Sequence, residues 1–116
     1  MVNYLTDVEP NEKCVCVFIT HKQFLNNLNL STVGVSETGI WKLNITRMVG
    51  VTKVVVYYRH DNMNEIIVGD YLGIRKSNDK NYPNRYYIDF NYIRKDKTKN
   101  DWKVFCNTGS YPVRYI

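Results

Sequence analysis

Apolar residues fall along this chain in short runs and strict alternations, and seldom in the three-and-four spacing of helices. Lys13-Cys14-Val15-Cys16-Val17-Phe18-Ile19 is continuously apolar after its first residue, which predicts a buried first strand. Thr20-His21-Lys22-Gln23 follows, with threonine at an N-cap and glutamine at N3, so that each side chain satisfies a free backbone N–H. Phe24, Leu25 and Leu28 then share one helical face, and a short helix is expected over residues 21–29. Ser31 to Gly39 reads as a loop. From Ile40 to Ile45 the chain alternates, with Trp41, Leu43 and Ile45 opposing Ile40 and Lys42, as in a half-buried strand with Trp41 on its inner face.

The strongest strand signal runs from Val51 to Tyr58. A polar turn over Arg59–Asn64 and a return through Glu65–Val68 make it a hairpin. Gly69-Asp70 interrupts the returning strand and Tyr71 to Lys76 continues it, so Gly69 marks a bulge or a bend. Ser77 to Asn84 is a turn rich in Asn, Asp and Pro. Arg85 to Tyr92 alternates again, with Tyr86, Ile88, Phe90 and Tyr92 on one face. Lys95 to Asp101 reads as a charged turn, and Trp102–Cys106 and Val113–Ile116 as the last strands. Short strands at this spacing indicate a mainly β (α+β) fold, a small antiparallel barrel with one short helix near residues 21–29, in a single domain spanning 1–116.

Composition strengthens the β reading. The 116 residues include no alanine, the best helix former, against 14 Val and 10 Tyr, which favour strands. At 44% hydrophobic and 23% charged, the chain has the balance of a folded globular protein. No run approaches the roughly 20 apolar residues of a membrane helix, and the first residues lack the pattern of a signal peptide. A cytoplasmic protein without a membrane partner is therefore expected. Three cysteines, Cys14, Cys16 and Cys106, are an odd number and read as free structural thiols.

Charge and aromatics carry the functional expectation. The net charge of +5 suits an anionic partner, of which nucleic acid is the commonest. Tyr57-Tyr58-Arg59 ends one strand, Tyr71 and Arg75-Lys76 bracket the next, and Arg85-Tyr86-Tyr87 begins a third. Stacking a base on an aromatic ring contributes roughly 1–3 kcal/mol, while Lys and Arg hold phosphates. The competing reading is that tyrosine is a good strand residue and that these rings are core. Paired carboxylates, a Ser–His–Asp set, a phosphate loop and HExxH are all missing, so no enzyme, cofactor or metal is expected. His21 and His60 read as solvated surface residues.

Three stretches, Gly39-Ile40-Trp41-Lys42-Leu43, Lys53-Val54-Val55-Val56-Tyr57-Tyr58-Arg59 and Ile66-Ile67-Val68-Gly69-Asp70-Tyr71-Leu72-Gly73-Ile74, together resemble the PUA-like superfamily, in particular its EVE and YTH branches. The resemblance covers residues 39–76. It implies a small barrel whose aromatic pocket accepts a flipped or unpaired, often methylated, base. Trp41 and Tyr57 would line that pocket, and Arg59, Arg75 and Lys76 would hold phosphates. The expected nucleic-acid-binding set is Trp41, Tyr57, Tyr58, Arg59, Tyr71, Arg75, Lys76 and Arg85, in a domain that binds DNA or RNA as a modified-base reader of a restriction or RNA-associated system. The rival expectation is a small phage or mobile-element protein that inhibits a host defence complex by protein–protein contact.

Overall fold

The structure, a computed structural model, describes residues 13–21, 25, 34–60, 63–98 and 113–115. These form β1 (Lys13–Ile19), β2 (Ser36–Trp41), α1 (Ile45–Met48), β3 (Val51–His60), β4 (Met63–Lys76), β5 (Tyr86–Thr98) and β6 (Val113–Tyr115). The six strands make one sheet in the order β2-β5-β4-β3-β1-β6. β1 and β3 run parallel and every other pair is antiparallel. The sheet curls into a half-barrel, so the mainly β fold expected from the sequence is the fold observed.

The continuous apolar runs of β1 and β3 have a simple cause. These strands are central in the sheet, and both of their faces are buried. Val15, Val17 and Ile19 enter the larger core with Val54, Val56, Ile67, Ile88 and Phe90. The alternate residues Cys14 and Cys16 join Val55, Tyr57, Ile66 and Val68 on the opposite face. Both cysteines are buried. On β5, Ile88 and Phe90 are core residues, and Tyr86 and Tyr92 pack beside them, as the alternation of that strand requires.

Several boundaries differ from the sequence reading. Ser36 to Gly39 is strand, not loop, pairing with β5. Trp41 and Leu43 are buried as expected, but Ile45 is 47% exposed. The strand stops at Trp41, and Asn44 caps α1 by accepting a hydrogen bond from the Arg47 N–H. The hairpin turn is also tighter. Arg59 pairs with Asn64 and His60 with Met63, so these four residues belong to the strands. Residues 95–98 extend β5 instead of forming a turn. Of the helix expected over 21–29, only His21 and Leu25 lie among the described residues, and Leu25 is buried in the larger core. The expected strand 102–106 and Cys106 lie outside the described residues.

The β4–β5 ladder breaks register between Val68 and Gly69, where the sequence placed a bulge or bend. A Cβ at Gly69 would come within 2.4 Å of Phe90 Cδ2 and 2.5 Å of the Asn91 carbonyl oxygen. Only glycine lets β5 approach this closely. At the other end of the fold Asn44 N–H donates to the Tyr115 hydroxyl at 2.8 Å, joining the chain after edge strand β2 to edge strand β6. Gly69→Ala is expected to destabilise the fold by about 1–3 kcal/mol, read as a lower urea midpoint at an unchanged slope.

Candidate nucleic-acid interface

The eight residues singled out in the sequence are not brought together. Trp41, 7% exposed, belongs to the larger core, and its indole N–H donates to Thr38 Oγ1 at 3.2 Å. Tyr57 is wholly buried in the other core, edge-on to Phe18 at 5.6 Å. The two rings lie on opposite faces of one sheet and cannot line a common pocket. This corrects the pocket drawn from the family resemblance. Within a strand, alternation sets which residues share a face, but the relation between faces of distant strands is set by register and strand order.

Arg59 is also remote from the other cations. It pairs with Asn64 at the hairpin end of the sheet, and its guanidinium lies 5.2 Å from the Phe18 ring centroid. Arg75 and Lys76 pair with Tyr87 and Tyr86 at the opposite end of β4. At about 3.3 Å per residue, Asn64 and Arg75 are roughly 35 Å apart along the strand. Tyr58 leans on the larger core and stacks on His60 at 4.3 Å. His60 is half-buried, with Nε2 3.3 Å from Glu65 Oε1, so it is not a purely solvated residue, whereas His21 is exposed. Tyr71 also packs on the larger core. Burial, and secondarily the charge of Asp89, raises its phenol above the ordinary value. The fold therefore favours neutral Tyr71, a contribution present below about pH 10 and lost as the pH rises beyond it.

Arg75 is neutralised by its neighbours. Its Nε and Nη2 grip the two carboxylate oxygens of Asp89 at 2.8 and 2.9 Å, and Nη2 also reaches Glu37. The guanidinium lies 5.1 Å from the Tyr87 ring centroid. These hydrogen bonds, Asp89 first and then Glu37, hold the guanidinium above its ordinary value. Arg75 thus ties β4 to β5 and β2. Other strand cations are matched in the same way: Lys53 to Asp70 at 2.8 Å, Arg94 to Asp96, and Lys95 to Glu65 at 4.0 Å.

A different group of cations gathers where β2 and β4 end and β5 begins. Trp41 and Lys76 both pair with Tyr86, which sets Lys42 and Lys76 at the same end of the sheet. The turn between β4 and β5 adds Lys80 and Arg85 there. Lys42, Lys76 and Lys80 are exposed, Arg85 is half-exposed, and none of the four has a carboxylate within 4.0 Å among the described residues. The turn does carry Asp79, but its carboxylate accepts the Asn81 N–H at 2.9 Å. Tyr82 stands at the same end, 48% exposed, with the Arg85 guanidinium 4.5 Å from its centroid.

Lys76 and Arg85 were expected in the site from the sequence. Lys42, Lys80 and Tyr82 were not, because Lys42 read as the outer face of a strand and the other two as parts of a solvated turn. The available signal was a lysine and a tyrosine set among turn-forming residues just before Arg85. Among the described residues no three His, Cys, Asp or Glu side chains gather into a set that would hold a metal ion. No described helix is long and apolar enough to cross a membrane.

Because Trp41 is core, Trp41→Ala is expected to cost about 3–5 kcal/mol, visible as a large fall in melting temperature. Arg75→Ala is expected to lower the melting temperature by a few degrees, since it unties three strands at an exposed site.

In comparisons with known proteins, no family model, no curated protein and no solved structure matches the chain.

Proposed function

We propose that the protein binds nucleic acid through the basic end of the sheet formed by Lys42, Lys76, Lys80 and Arg85. One observation carries this reading. The cations of Arg75, Lys53, Arg94 and Lys95 are matched to carboxylates, while these four are not and gather at one end of the sheet; Lys13, Arg47 and Lys97, likewise without a carboxylate among the described residues, lie on β1, α1 and the far end of β5. Cations left without counter-charges at one end of a fold create a positive potential there, which attracts a polyanion and exchanges bound counterions for phosphates. An exposed tyrosine in the same place adds a surface on which bases stack.

The curled β sheet agrees with the PUA-like resemblance of residues 39–76, and that kinship is part of the proposal. The base-reading pocket is not, because Trp41 and Tyr57 occupy opposite faces. Large apolar side chains exposed among the described residues, Val35, Ile45, Val49 and Leu72, are divided between the approach to β2, the α1 region and a second register break of β4, between Tyr71 and Gly73. They do not by themselves single out a protein-docking surface.

The test is a binding titration by fluorescence anisotropy, with mixed-sequence DNA and RNA oligonucleotides at increasing salt. The logarithm of the affinity should fall linearly with the logarithm of the salt concentration. Lys76→Ala and Lys80→Ala should each weaken binding alike for all sequences and reduce the slope by roughly one. No measurable binding at low salt, where phosphate contacts are strongest, would end this reading and favour inhibition of another protein by direct contact.

A further inference from the structure

The turn that carries Tyr82 is built as two successive β-turns. The Tyr82 N–H donates to the Asp79 carbonyl at 3.1 Å, and the Arg85 N–H donates to the Tyr82 carbonyl at 3.3 Å. Pro83 falls at the second position of the latter turn, where its fixed φ is favourable. Side chains reinforce the first: the Asp79 N–H donates to Ser77 Oγ at 3.0 Å, and the Asn81 N–H to Asp79 Oδ1. The Ser77 N–H donates to the Arg85 carbonyl at 2.7 Å and closes the base of the loop. Tyr82 and Arg85 are thus the first and last residues of one turn, which is why the guanidinium reaches the ring.

This arrangement is more specific than a basic patch. The Arg85 guanidinium carbon stands over the Tyr82 ring, 4.5 Å from its centroid, a cation–π contact formed before any ligand arrives. Tyr82 remains about half exposed on a loop whose backbone bonds fix it. Lys80 lies two residues before it and Lys76 ends β4 at the base of the same turn, both without carboxylate partners. Within the nucleic-acid reading above, on which this inference rests, we infer that the ligand class is unpaired nucleic acid, with one base stacked on the Tyr82–Arg85 pair and its flanking phosphates held by Lys76 and Lys80. A base inside a duplex has both faces covered by its neighbours and cannot stack on a side chain, whereas every unpaired base offers a face. The contact uses no hydrogen-bonding edge of the base, so binding by this pair is indifferent to sequence.

The experiment compares three probes of equal phosphate number with the whole chain: a mixed-sequence single strand, a closed duplex, and an abasic single strand. The wild-type protein should bind the single strand on the order of ten-fold more tightly than either other probe. Tyr82→Ala should remove that advantage, while Tyr82→Phe, which keeps the ring, should retain it. Equal affinity of the wild-type protein for the single strand and the abasic strand would overturn the inference without using any variant, and so would Tyr82→Ala binding the single strand like the wild type. In both cases phosphate-driven binding through the basic end would survive. Failure to bind any of the three probes at low salt would instead remove the nucleic-acid reading and this inference with it.

Discussion

The close approach of β5 to β4 at Gly69 is the contact on which the rest of the sheet depends. β4 spans 14 residues and β5 spans 13, and they pair along almost their whole length. The lower half of β4, residues 63–70, holds β3 on its other side, and the upper half of β5, residues 86–90, holds β2. The neighbouring strands are therefore displaced in opposite directions along the central hairpin. Gly69 sits where one arrangement gives way to the other, beside Phe90 and Asn91, and the register break there accommodates the change. A side chain at that position would push apart the two strands that organise all the others.

The curl of the sheet follows from this stagger and from the way its edges are joined. The segment leaving β2 turns through α1, and the Tyr115 hydroxyl on the far edge accepts the Asn44 N–H. The Arg47 guanidinium lies 4.9 Å from the centroid of the same ring. Leu43 and Met48, from the segment around the helix, enter the larger core. Gly50, at φ 84°, then makes the left-handed step that returns the chain to β3. α1 thus acts as a clasp, with few residues of its own but contacts at both ends of the sheet order.

Charge is distributed by the same geometry. Asp70 faces Lys53 across the β3–β4 ladder, whereas Glu37 and Asp89 face each other across the β2–β5 ladder and Arg75 of β4 bridges the two carboxylates. Pairs this exposed stabilise little individually, yet they decide which cations keep an uncompensated field. Arg75 and Arg85 illustrate the contrast. Arg75 sits opposite Tyr87 and next to Asp89 and Glu37, and its charge is absorbed within the fold. Arg85 is a turn residue with a tyrosine ring as its neighbour, and its charge is available to a ligand.

Local pattern determined much of the fold. The unbroken apolar runs of β1 and β3 indicated burial, the alternation of Tyr86, Ile88, Phe90 and Tyr92 indicated one inward face, and Gly69 indicated the place where the β4–β5 ladder breaks register. These properties are set by side-chain spacing within a single strand. The clasp at Asn44 was less legible, because a four-residue helix has no periodicity to display and Ile45 continued the strand alternation before it. What only the tertiary structure decided was which strands became neighbours. That choice placed Trp41 and Tyr57 in different cores, separated Arg59 from Arg75 by most of the length of β4, and brought Glu37 to Arg75 from 38 positions away. It also left Lys42 and Lys80 beside Lys76 and Arg85. Register and strand order are set by the packing of the whole sheet, so the chemistry of a site shared among several strands is invisible in any one of them.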